Sequence, residues 1–112
     1  SGLDVYNRCT SFLSTLYRDF EDDDIRHKDL NVIIITHGLT LRLLIMRWFQ
    51  FTVNEFEKTM NPTNCGIAEI ERVRDKKNRT EWFELSEGAH ELIGFSPKRK
   101  GSIWTVLDNI YK

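Results

Sequence analysis

Residues 31 to 49, NVIIITHGLTLRLLIMRWF, set one histidine and one glycine between two runs built for burial. Upstream, Asn31 to Thr36 is β-branched without alternation, which fits a strand covered on both faces, as in a parallel sheet flanked by helices. Downstream, Leu41, Leu44, Ile45, Trp48 and Phe49 recur at helical spacing. Leu43 and Met46 widen that stripe almost all the way round, so the predicted helix must be largely buried. Polar atoms fall only at the join. A strand running into a helix through His37-Gly38 puts the imidazole at the carboxyl edge of a sheet, where open α/β sheets bind ligands. Gly38 lets the backbone turn sharply and approach a ligand closely. The amides of Gly38, Leu39 and Thr40 then point out of the helix N-terminus, where the dipole favours an anion. A phosphoryl group placed there would meet backbone donors and the His37 ring together. Spacing alone also admits a plainer reading, a histidine packed at a strand end with a ring nitrogen on a backbone carbonyl.

Other chemistry-bearing residues offer less. His27 lies in a charged loop and His90 in the polar segment Glu87 to Glu91. No histidine pair has the i, i+4 or HExxH spacing of a helical zinc site, so no metal is expected. There is no P-loop and no GxGxxG. Ser11 and Ser14 read as helix-surface residues, and neither sits on a nucleophile elbow. Trp48, Phe49 and Phe51 read as core rather than as a stacking platform. Cys9 and Cys65 form no CxxC pair. A disulfide between them is open, but two buried thiols in a cytosolic protein is the favoured reading. Asn78-Arg79-Thr80 fits a glycosylation acceptor and is taken as a turn.

The elements that must position these residues follow from pattern. At 112 residues, 40% hydrophobic and 29% charged, the chain is one domain at most and globular. A net charge of −1 gives no global field for nucleic acid or an anionic membrane. Local charge runs (Glu21 to Asp24, Arg72 to Arg79, Lys98 to Lys100) read as solvated turns without a partner. No apolar stretch is long enough to cross a bilayer, and a cytoplasmic location is expected. The opening Ser1-Gly2-Leu3-Asp4, without an initiator methionine, reads as the entry to a helix. The chain is therefore taken as a fragment, a processed piece, or the ordered part of something longer.

Ser1 and Asp4 can cap that helix, and Val5, Cys9, Phe12, Leu16 and Phe20 give it an apolar stripe ending near Phe20. Residues 21 to 30 read as a loop. Thr52-x-x-Glu55 is a capping box for a brief helix that closes before Asn61-Pro62. Residues 66 to 73 and 80 to 85 are predicted strands joined as a hairpin. Beyond Ser86 the pattern is mixed, with a last short helix or strand expected among Ile103, Trp104, Val106, Leu107 and Ile110. A doubly buried strand at 31 to 36 needs sheet neighbours, and a single hairpin does not supply them. The missing strands must come from elsewhere.

The stretch VIIITHGLTLRLLIMRWF resembles the second histidine motif of the histidine phosphatase superfamily, the phosphoglycerate-mutase-like proteins. That motif is a hydrophobic strand, Ser/Thr/Cys-His-Gly, then a helix containing arginine. SGLDVYNRCTSFLSTLYRDF resembles the family helix that precedes this strand, and VNEFEKTMNPTNCGIAEIE the short helix and strand that follow. FELSEGAHELIGFSP is similar to the tail of the phosphoglycerate-mutase-like phosphatases. The resemblance implies a three-layer α/β/α fold, of which residues 1–112 supply the C-terminal portion of a single domain. It also implies a phosphohistidine mechanism without metal or organic cofactor. A first histidine, in an Arg-His-Gly motif, takes the phosphoryl group, and an acidic residue protonates the leaving oxygen. Here His37 would be the second, catalytic histidine, donating to the phosphoryl oxygens, with Gly38 and Leu39 holding the substrate phosphate. Arg42 matches the family's helix arginine, with a structural role.

One departure is large. The only histidine followed by glycine is His37 itself, so the nucleophile half is absent and the isolated chain is expected to be inactive. Two hypotheses follow. In the first, the complete protein is a phosphatase, less favourably a mutase, acting on a phosphorylated small molecule, and this chain pairs with the missing N-terminal half. In the second, the chain is a non-catalytic phosphate-binding or interaction module whose exposed sheet edge and apolar faces pair with another chain, as a homo-oligomer or heteromer.

Overall fold

The computed structural model describes residues 2–21, 31–78, 80–95 and 100–101. Helix α1 (Gly2–Glu21) and helix α2 (Gly38–Phe49) pack side by side, followed by the short helix α3 (Val53–Glu57). A hairpin of β1 (Ile70–Asp75) and β2 (Thr80–Leu85) comes next, then helix α4 (Glu87–Ile93) and the two-residue strand β3 (Lys100–Gly101). The sheet has the order β1-β2-β3 with both pairings antiparallel. The loop expected at 21–30 gives its first residue, Glu21, to α1; Ser1, residues 22–30 with His27, and the apolar run at 103–110 lie outside the described residues.

The core forms where the apolar stripes meet. From α1 come Cys9, Leu13 and Leu16, and from α2 come Leu43, Leu44, Ile45, Trp48 and Phe49. Phe51, Phe83, Leu85, Ala89, Ile93 and Phe95 close the other side. The buried stripe of α1 is rotated slightly from the sequence expectation: Leu13 is fully buried, whereas Phe12 is 39% exposed. Phe49 and Ile45 are 1% exposed, as the all-round apolar pattern of α2 requires. Removing such a side chain from water contributes about 1.5–3 kcal/mol. Aromatic contacts add direction, with Trp48 edge-on to Phe83 at 5.1 Å and Phe51 against Phe95 at 4.1 Å.

Polar contacts fix how the elements sit. The Arg47 guanidinium on α2 donates to Thr10 Oγ1 at 3.2 Å and to the Tyr6 hydroxyl at 3.1 Å, both on α1. Its carbon also lies 5.3 Å from the centre of the Tyr6 ring. The capping box at Thr52 is complete, with Glu55 N donating to Thr52 Oγ1 and Thr52 N donating to Glu55 Oε1. In the hairpin turn, Asp75 accepts from the amides of Lys77 and Asn78 and from the Asn78 side chain, an Asx-type closure.

Three expectations change. Residues 31–36 are not a ladder-bonded strand and are not buried: Ile33 is 86% and Ile35 95% exposed. A strand is a pairing between two segments, and none of the described residues pairs with this one. The sheet is consequently antiparallel and local, so the mixed helix and strand content is α/β only in the broad sense. Cys65 is exposed rather than buried, at a left-handed backbone position with φ 62° in the turn before Gly66, and both described thiols are free. No helix among the described residues is long and apolar enough to cross a membrane.

The two long helices depend on a few filled positions. Leu13→Ala should lower unfolding free energy by about 2–5 kcal/mol in urea titrations. Leu3→Ala, on the exposed side of α1, should stay within about 0.5 kcal/mol. Equal midpoints for the two variants would show that the α1–α2 seam does not hold the fold.

Candidate functional site

His37 is the N-cap of α2, with extended backbone (φ −100°, ψ 162°) and no side-chain capping bond. Its carbonyl accepts the first intrahelical bond, from Leu41 N at 2.8 Å. The amides of Gly38, Leu39 and Thr40 precede that bond, and none of them has an acceptor among the described residues. A helix start leaves such donors orphaned, and water or a ligand must satisfy them. The His37 side chain is exposed beside them. The plainer alternative, a ring nitrogen seated on a backbone carbonyl, is not found at His37 among the described residues. His90 has that arrangement instead, with Nδ1 2.6 Å from the Phe95 carbonyl oxygen in the core.

Gly38 serves differently from expectation. It needs no left-handed backbone, since the sharp change of direction is made by ordinary extended-to-helical geometry at His37. What glycine permits is close packing. A Cβ there would come within 3.3 Å of Pro62 Cδ and 3.5 Å of Asn61 Cβ. The segment after α3 therefore lies directly against the first residue of α2.

That segment is held by Arg42, one helical turn below Gly38. Its Nε donates to Thr59 Oγ1 at 2.9 Å, and its Nη1 to Asn61 Oδ1 at 2.9 Å. Its Nη2 donates to the Thr59 carbonyl at 3.1 Å and the Phe56 carbonyl at 3.4 Å. The guanidinium also lies 4.5 Å over the Phe56 ring. Met60 N donates to the Ile93 carbonyl at 2.7 Å, tying the same loop to α4. Sequence reasoning assigned Arg42 a structural role but missed its partners. Asn61-Pro62 signalled only a helix stop.

His37 and Gly38 open on a cleft of about 1310 Å³ between residues 31–38 on one side and 62–72 on the other. Ile33, Ile35 and Ile67 give it apolar walls, and Glu69, Glu71, Arg72 and Arg74 line it with charges of both signs. Leu39, also predicted as a phosphate ligand, is 44% exposed at the helix start. The cleft also contains Cys65. Cys9 lies in the core, where burial pushes its thiol up despite the lowering influence of Arg8.

An exposed imidazole beside helix-start amides is an arrangement that can hold an anion. Residues 1–85 match the model of the histidine phosphatase superfamily (branch 1), and the chain belongs to that family. It is 41% identical over 76 residues to the phosphoglycerate mutase-like protein AT74H of Arabidopsis thaliana, covering 63% of this chain and 26% of that protein. It is 39% identical over 71 residues to the broad-range acid phosphatase DET1 of Saccharomyces cerevisiae, covering 63% of this chain and 21% of that protein. The chain thus spans about a quarter of the length of the curated relatives it matches. No solved structure matches it significantly.

The two thiols make the geometry checkable. In native buffer an alkylating reagent should modify Cys65 and spare Cys9, and unfolding should release the second thiol. Equal rates for both would contradict the buried position of Cys9.

Proposed function

We propose that this chain carries the second-histidine part of a phosphomonoester hydrolase that works through a phosphohistidine. The observation that carries the reading is the start of α2: His37 exposed beside the amides of Gly38, Leu39 and Thr40, which have no acceptor among the described residues. Family membership and the phosphatase relative support it. In this proposal residues 1–112 are the C-terminal portion of one three-layer α/β/α domain. An Arg-His-Gly half completes it, and its strands fill the cleft between residues 31–38 and 62–72. The exposed apolar residues Val32 to Ile35 support that placement, because they look built to be covered on both faces.

The chemistry then divides between the halves. The first histidine attacks phosphorus, an N–P bond forms, and the ester P–O bond breaks. An acid protonates the departing oxygen. Water next cleaves the N–P bond, releasing inorganic phosphate and restoring the histidine. His37 and the amides of Gly38 and Leu39 donate to the non-bridging oxygens, whose negative charge they stabilise through the transition state. No metal or organic cofactor is needed for these steps. The substrate is a phosphorylated small molecule, and hydrolysis is preferred to mutase transfer. A cytoplasmic setting is part of the same proposal. On its own, without the nucleophile, the chain has no turnover.

The exposed apolar run at 32–35 also favours a second reading, a non-catalytic module that pairs with another chain or a second copy through this segment. Two measurements on the complete protein separate them. His37→Ala should lower turnover of p-nitrophenyl phosphate by about 10²- to 10³-fold, the loss expected for one transition-state donor. Wild-type protein quenched during turnover should yield an acid-labile, base-stable phosphoenzyme. Undiminished turnover in His37→Ala would refute the assignment, and a stable dimer with no phosphoenzyme would favour the module.

A further inference from the structure

The clamp on Asn61 has a consequence for ligand binding at the start of α2, and it rests on the phosphoryl-site reading above. Arg42 uses its Nε, Nη1 and Nη2 on four acceptors, and all four are uncharged: Thr59 Oγ1, the carbonyls of Thr59 and Phe56, and Asn61 Oδ1. No carboxylate among the described residues neutralises it. Among the described residues its positive charge thus stands unpaired by a carboxylate, one turn below the amides that would meet an anion. Thr59, which is buried, accepts from Arg42 and donates to the Phe56 carbonyl at 2.6 Å, so its hydroxyl proton is already committed.

Asn61 differs. Its Oδ1 is committed to the guanidinium, which fixes which end of the carboxamide is inward. Its Nδ2 has no acceptor among the described residues, and the side chain is exposed. Its Cγ lies 3.6 Å from where a Cβ on Gly38 would stand, so the group is beside the first residue of α2. Two ties hold it in place, Arg42 and the Met60–Ile93 backbone bond, and Pro62 beside it fills the space where a Gly38 side chain would stand. A carboxamide whose oxygen accepts from a cation is polarised, and its N–H groups become better donors.

We infer that Asn61 is a ligand of the phosphoryl anion, donating from Nδ2 to an oxygen held at the N-terminus of α2, with Arg42 as its positioning residue. Nothing in the charge pattern of the sequence marks this role. It comes from a loop carried across the helix start and locked there.

Asn61→Asp separates structure from binding, because the two effects have opposite signs. A carboxylate keeps and strengthens the bond to Arg42, yet it removes the donor and repels an anion. In the complete protein, the competitive inhibition constant of inorganic phosphate should rise at least about 10-fold in Asn61→Asp, the size of a lost hydrogen bond to a charged group plus repulsion. The urea midpoint should be unchanged or higher. Asn61→Ala should raise the same constant by less. A wild-type constant in Asn61→Asp overturns the role of Asn61 while leaving the His37 site standing. Failure of wild-type protein to bind phosphate by equilibrium dialysis overturns the underlying site and the inference with it.

Discussion

A helix cannot satisfy its own first amides, and α2 leaves three of them, at Gly38, Leu39 and Thr40, without an acceptor among the described residues. Exposed to water, such donors cost little. Once a surface covers them, each needs an acceptor or carries a penalty of about 1–3 kcal/mol. Anything that closes the cleft beside His37 therefore favours an oxyanion there as well. Covering the apolar face of residues 32–35 and binding an anion are coupled by this one geometric fact.

The rest of the molecule keeps that helix start fixed while the body of α2 is buried. Leu43, Leu44, Ile45, Trp48 and Phe49 anchor the lower turns. Two arginines then set orientation from different sides. Arg47 ties α2 to Tyr6 and Thr10 on α1, and Arg42 ties it to Thr59 and Asn61 on the following loop. A phosphoryl site needs donors placed before the ligand arrives, since preorganised dipoles avoid reorganisation during the reaction. Two packed helices and a cross-linked loop provide such a frame.

Much of this was legible in the sequence where the signals are local. The capping box at Thr52 and Glu55 formed as read, because both partners lie within one turn. The hairpin formed with β2 at its expected bounds, whereas β1 starts four residues later than predicted, at Ile70. The helix Glu87–Ile93 was missed, although Ser86 caps it and Gly94 ends it at φ 69°. Its apolar positions, Ala89, Leu92 and Ile93, have helical spacing, but they make a single repeat in seven residues set among glycines and charges. The run Asn31–Thr36 was read as a buried strand from β-branched residues, but strand formation depends on a neighbour that no local pattern supplies. His37 was found because histidine and glycine stand out between apolar runs. Asn61 was not, since its place beside Gly38 depends on the tertiary path of the loop.

The central claim is that the start of α2 grips a phosphoryl oxyanion, and amide NMR tests it most directly. On titrating inorganic phosphate into the complete, isotope-labelled protein, the amide protons of Gly38, Leu39 and Thr40 should shift downfield together, along with the ring resonances of His37. Saturable shifts confined to other amides, with these residues unmoved, would contradict the account.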